Sequence, residues 1–331
     1  MRVCLSVKPS PALHNSPMHF FVHIPKTAGT SFRTAAERHF GADKVVYDYG
    51  SHSPVTSACI QRFLYAADSE DKPGLYRHWD ESSPALVAGH KAVARFVDHV
   101  GLPRVLTFLR EPLARSFSEY LHYCRDQRHQ GSFREFFLKR PQNQQKRMCS
   151  KLPFQSLGFV GITERYDDSL RLLNAHFGWA IRKRRVNRAG WLAPGPDSIS
   201  AEDRAEFYQR NAEDLALYQN ACWLLQQRLD LHRQGLPFVH GEIESCRKGR
   251  VRGWAFRAGT DDRPVTIELH RNGAAACHVV ADRPHKRLGQ AGAPRAGQVA
   301  FAAQLPLAPE DRISATVADT GQPLCPEPLQ I

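Results

Sequence analysis

A change of period constrains this chain more than any other feature. From Phe20 to about Leu236, short apolar runs alternate with segments of helical periodicity, and beyond that point only short β-type runs follow. Alternation of strand and helix builds an α/β domain around a mainly parallel sheet. Strands are predicted over residues 20–24, 85–88, 105–109 and 159–162, each followed by a helix-compatible segment. The stretch APGPDSIS reads as a loop, and Ser200 as an N-cap with Asp203 in the first turn of the next helix. In that helix Leu215, Tyr218, Cys222, Leu225 and Leu229 mark one apolar face.

After RQGLPFVHG, β-type runs at 250–256, 265–270, 276–280, 298–302 and 313–317 are separated by turn signals such as RNG and ADTG. This pattern predicts a small β-sandwich. The expected organisation is an N-terminal extension (1–17), an α/β domain (18–236) and a β-sandwich accessory domain (240–331).

The 331 residues suffice to bury a sizeable core without disulfide or metal support. Lysine and arginine total 45 against 33 acidic residues, a formal charge of +12. Such a surplus favours an anionic partner, which could be nucleic acid, a nucleotide, an acidic polysaccharide or an anionic membrane surface. Eight cysteines are scattered with no Cys-x-x-Cys pair. They read as reduced, mostly buried thiols, with no structural zinc or other metal expected. The first twenty residues hold no apolar core of signal-peptide length, and no apolar run approaches the ~18 residues that span a bilayer. A soluble, cytoplasmic protein is expected.

The stretch HFFVHIPKTAGTSFRTA delivers a predicted strand into Pro25-Lys26-Thr27-Ala28-Gly29-Thr30-Ser31, with a helix starting near Ser31. Backbone amides of a tight loop ahead of a helix converge on an anion, Gly29 permits close approach, and the Thr30 and Ser31 hydroxyls add donors. The lysine precedes the glycine, so this is no Walker A loop, in which lysine follows the last glycine. An ordinary strand followed by a Ser/Thr N-cap is the plain alternative. The second stretch, PRVLTFLREPLARSFSEYLHY, repeats the design: a strand, Arg110, then a helix entered through Pro112. Arg110 and Ser118 could both reach a phosphate over the carboxyl edge of the sheet, so a ligand with two phosphate groups is implied.

Together, FVHIPKTAGTSF and LTFLREPLARSFSEY resemble the two phosphosulfate-binding motifs of the carbohydrate sulfotransferase family that includes heparan sulfate 2-O-sulfotransferases. The resemblance implies a P-loop-like three-layer domain and 3'-phosphoadenosine 5'-phosphosulfate (PAPS) as sulfuryl donor. It assigns Lys26, Thr27, Ala28, Gly29, Thr30 and Ser31 to the 5'-phosphosulfate, and Arg110 and Ser118 to the 3'-phosphate. ALVAGHKAVARF carries a Gly-His at the place where these relatives have their catalytic base, which implies that role for His90. NQQKRM and GFVGITERYDDSLRLL are similar to further segments of the family, so the likeness runs in order from about His19 to about Leu229. Ala28 stands where relatives often have glycine and Glu111 where aspartate is common, and the membrane anchor of Golgi members has no counterpart.

The basic run RKRRVNR at 182–188 lacks interleaved aromatics and reads as a contact to donor or acidic glycan, or as a solvated charge run. GRVRGWAF resembles the start of a β-sandwich module attached to bacterial glycosyltransferases and sulfotransferases, with Trp254 as a core residue. The expectation is a bacterial-type sulfotransferase in which His90 deprotonates a hydroxyl of a carbohydrate or glycolipid acceptor and Lys26 stabilises the leaving phosphate. Nucleic acid is not an expected partner, whereas peripheral contact with an anionic membrane surface is compatible with the charge. The alternatives are a P-loop-like kinase of a small hydroxylated substrate and a non-enzymatic polyanion-binding protein.

Overall fold

The computed structural model describes residues 18–66, 70–183, 199–259 and 261–331. The N-terminal extension and most of the 182–188 run lie outside the described residues. Five strands, β1 (His19–Val22), β2 (Val45–Asp48), β3 (Leu86–Gly89), β4 (Val105–Leu109) and β5 (Phe159–Ile162), form one parallel sheet in the order β2-β3-β1-β4-β5. Four of them coincide with predicted runs to within two residues. The unpredicted one, β2, is a four-residue VVYD stretch that turns at once into a Gly/Ser/Pro-rich segment.

Adjacent residues of a strand point to opposite faces, and β1 shows what each face meets. Phe21 packs against Phe32 of the Gly29–Phe40 helix, with ring centroids 4.6 Å apart. Phe20 packs on Phe96 at 5.3 Å, and Phe96 on Trp79 of the Lys72–Ser82 helix at 5.2 Å. Helices therefore cover both faces, and all five residues of β4 are buried, as a parallel sheet requires. The chain builds β2 and β3 on one side of β1, then β4 and β5 on the other. The strand order therefore reverses direction at β1, and the carboxyl ends of strands at such a switch point are where sheets of this kind bind ligands.

The predicted closing helix is split into Ala201–Arg210 and Ala212–Arg233. The Ser200 hydroxyl accepts from the Asp203 amide at 3.1 Å, as its N-cap reading requires. The apolar face is rotated from the expected one: Leu217, Ala221, Leu225 and Leu229 are buried, whereas Leu215, Tyr218 and Cys222 are only partly so. Asp214 is the reason. Its buried carboxylate accepts from the amides of Gln145 and Lys146, which turns this side of the helix inward.

Strands β6 (Val239–Arg247), β7 (Arg250–Arg257), β8 (Val265–Arg271), β9 (Ala274–Ala281), β10 (Arg283–Pro284), β11 (Gln298–Gln304), β12 (Arg312–Val317) and β13 (Leu329–Gln330) follow. They form two antiparallel sheets, β10-β11-β7-β6 and β13-β12-β8-β9. Val251 and Phe301 of the first share a core with Ile267, Leu269 and Ile313 of the second. β6 begins within RQGLPFVHG, ahead of the first predicted β-type run. Trp254 is fully buried, with its indole donating to Glu242 at 3.2 Å, and with Phe256 it joins the core of the α/β domain rather than the core between the two sheets. The seven described cysteines are free thiols; only Cys149 is buried, so the expectation of mostly buried thiols is corrected. No described helix is long and apolar enough to cross a membrane.

Candidate active site

Strand register brings the predicted residues to one edge. Val22 of β1 aligns with Gly89 of β3 and with Thr107 of β4. The alignment is locked by the His23 amide donating to the Gly89 carbonyl at 2.9 Å and the Thr107 hydroxyl donating to the Val22 carbonyl at 2.8 Å. Lys26, His90 and Arg110 therefore all follow the carboxyl ends of neighbouring strands. Gly89 is needed for this closeness, because a Cβ there would lie 2.1 Å from the Asp48 carbonyl oxygen of β2.

In the first loop Lys26 and Ala28 both adopt left-handed backbone angles, φ 70 and φ 64, which side chains other than glycine rarely take. The helix starts at Gly29, two residues before the expected Ser31, and no side chain caps it. The first amides of a helix have no intrahelical acceptor, so those of Gly29, Thr30 and Ser31 are oriented to meet an anion. The Thr27 hydroxyl is committed to the Ile24 carbonyl at 2.9 Å, which leaves Thr27 only its backbone for a ligand. Thr30 is exposed and Ser31 half-buried. Gly29 has a structural reason beyond close approach to a ligand: a Cβ would fall 1.9 Å from the His23 ring beneath it.

The second motif differs from its sequence reading. Pro112 does open the Pro112–Arg125 helix, but the Glu111 carboxylate caps it, accepting from the amides of Leu113 at 3.1 Å and Ala114 at 2.7 Å. An anion here is left to side chains, Arg110 and the half-buried Ser118. Arg110 is firmly held. Its amide donates to Gln145 Oε1 at 2.9 Å, and Gln145 Nε2 donates back to its carbonyl at 2.8 Å. Thr163 donates to the neighbouring Leu109 carbonyl at 2.9 Å, and Glu164 lies 3.8 Å from Arg110 Nε. The segments NQQKRM and GITE thus act as a cradle for the Arg110 backbone.

The two motifs touch directly: Arg110 Nη1 donates to the Lys26 carbonyl at 3.2 Å. The Lys26 ammonium forms no ion pair with a described residue, and its pKa is lowered by burial and then by the charges of Arg125 and Arg110. Glu119, buried and paired with Arg115 at 3.0 Å and with Arg140, opposes but does not overcome the lowering of the Lys26 and His90 pKa values. Both are therefore within the field of one carboxylate.

His90 sits in a cluster that the sequence reading did not assemble. Its ring lies 4.6 Å from that of His23 and 4.6 Å from that of Tyr49, edge-on to both. His23 Nδ1 is 2.8 Å from the Tyr49 hydroxyl, and its ring stacks on Phe21. Burial lowers the pKa of His23 to about 3, with His90 and Arg33 adding to the effect. His90 is lowered to about 4, first by desolvation and then by Lys91, although its outer edge is open to solvent. At neutral pH both imidazoles are uncharged, and that of His90, a solvent-exposed residue, can accept a proton. The position of His23 after a buried strand and just ahead of the loop was the one available signal for it. Of the 182–188 run, Arg182 and Lys183 are described, and Lys183 pairs with Asp167 at 2.7 Å.

No protein-family model matches this chain, and no curated protein does.

Proposed function

We propose that this chain transfers a sulfuryl group from PAPS to a hydroxyl of a carbohydrate or glycolipid, on a P-loop-like α/β domain. The observation that carries the reading is the contact between the motifs. The Arg110 to Lys26 hydrogen bond makes an uncapped helix N-terminus, a lysine with no ion pair among the described residues and a clamped arginine into one basic edge, beside a neutral histidine. A donor with phosphates on both the 3' and the 5' position of one ribose suits such a pair of sites. In the reaction the acceptor oxygen attacks sulfur as the bond from sulfur to the 5'-phosphate oxygen breaks, releasing adenosine 3',5'-bisphosphate. His90 takes the acceptor proton, and Lys26 with the amides of Gly29, Thr30 and Ser31 stabilises the charge left on the phosphate. The neutral state of His90 near pH 7 suits a base, and Lys26, which pairs with no carboxylate among the described residues, is available to the leaving group.

Calorimetric titration with adenosine 3',5'-bisphosphate, and separately with ATP and magnesium, tests the reading. The bisphosphate is expected to bind and ATP with magnesium to bind far more weakly. Arg110→Ala should lower bisphosphate affinity by about 10- to 100-fold. With labelled PAPS and a panel of glycans, His90→Ala should abolish transfer while leaving bisphosphate binding intact. Tight ATP binding with none of the bisphosphate refutes the proposal in favour of a kinase.

A further inference from the structure

At the junction of the α/β domain with β6, an arginine is buried with no counter-charge among the described residues. Arg228 of the Ala212–Arg233 helix is 9% exposed, and both its Nη1 and Nη2 donate to one acceptor, the Gly158 carbonyl, at 3.1 Å. Its guanidinium lies 4.4 Å from the Phe238 ring centroid and 5.0 Å from that of Phe159. Among the described residues no carboxylate pairs with it. Two histidines in its field, His176 and His240, are held neutral by burial and by the charge of Arg228 itself. His240 Nδ1 donates to the Gln155 carbonyl at 2.8 Å, which fixes its tautomer. Burial pulls the pKa of Arg228 down to about 9, so the guanidinium still carries its charge at pH 7.

The Gly158 carbonyl and the two ring faces meet the guanidinium with partial charges only, and a buried cation gains further from a full charge of opposite sign. Arg228 lines a half-open pocket of about 20 Å³, walled in part by Leu157, Leu225, Phe238 and His240. A space of this measure exceeds the roughly 10–15 Å³ that one water needs, yet leaves little room for a polyatomic ion. Its remaining lining is mostly apolar, which suits a weakly hydrated ion. We infer that this cavity binds a small monovalent anion of halide size, chloride in practice, held by Arg228 at the junction of the two domains.

An anion that binds only the folded chain raises its melting temperature in proportion to the logarithm of its concentration. The intact chain is melted in sodium chloride, sodium bromide and sodium gluconate at equal ionic strength, since gluconate is too large for the cavity. Chloride and bromide are expected to raise Tm by about 2–4 °C per tenfold concentration above the Kd, with gluconate inert. Arg228→Met keeps the bulk without the charge and should lose the halide dependence. Equal Tm in chloride and gluconate, or halide dependence that survives in Arg228→Met, overturns the inference. Should Arg228→Met fail to fold, bromide-soaked crystals of the unaltered chain decide: an anomalous peak at Arg228 supports the site, and its absence refutes it.

Discussion

Substitution of Gln145 by leucine tests whether the edge is assembled by the cradle behind it. The Gln145 side chain is fully buried and makes two hydrogen bonds to one residue, accepting from the Arg110 amide at 2.9 Å and donating to its carbonyl at 2.8 Å. Leucine has nearly the same bulk, so little cavity opens, but both backbone groups of Arg110 lose their partner. Each such group left unsatisfied costs about 1–3 kcal/mol, and the partial exposure of Arg110 favours the lower half of that range. Gln145→Leu should therefore lose about 2–4 kcal/mol of unfolding free energy, read from urea titration followed by circular dichroism. With the Arg110 backbone released, its guanidinium no longer starts from a fixed position, and bisphosphate affinity should fall by about tenfold or more in calorimetry. An unfolding free energy within about 0.5 kcal/mol of the parent, together with unchanged affinity, would refute the cradle.

Two further outcomes follow from the packing. Gly29→Ala places a methyl 1.9 Å from the His23 ring, so the ring must shift and its contact with Tyr49 must break; about 1–3 kcal/mol of stability should be lost in the same urea assay, and a loss under about 0.5 kcal/mol counts against the tight seat of this helix. His23 and His240 are neutral when folded, with pKa values lowered to about 3, so below pH 6.5 the unfolded chain takes up protons that the folded chain cannot; stability is fully present above pH 6.5 and should fall toward acid by about 1.4 kcal/mol per pH unit for each histidine, whereas a flat urea profile between pH 7 and pH 5 contradicts their burial.

The parallel sheet was legible because its strands are apolar on both faces and so stand out as continuous runs. β2 escaped because its register with β3 depends on Gly89 admitting the Asp48 backbone, a contact between positions far apart in sequence. Lys26, Arg110 and His90 were legible as strand-end residues. What surrounds them was not: the Gln145 clamp spans 35 positions and the bonds of Asp214 to the Lys146 and Gln145 amides span 68 and 69, and no local period encodes such pairings. The start of the helix after Glu111 was within reach, since a proline at the first helical position is itself a start signal, although glutamate lies outside the Ser, Thr, Asp and Asn preference at the N-cap. The rotated face of the Ala212–Arg233 helix was not, because a polar residue turned inward runs against the periodicity rule.

The shared core of the two parts bears on how such chains can be inherited. Trp254 and Phe256 of β7 lie in one apolar cluster with the parallel sheet, the Leu102 amide donates to the Ala291 carbonyl at 3.0 Å, and His240 holds the Gln155 carbonyl. The break in sequence pattern near residue 236 therefore does not coincide with a break in packing. Recombination at that point would strip two large aromatics from one half and unroof the other, so a new partner for either half must bring a matching apolar face with it.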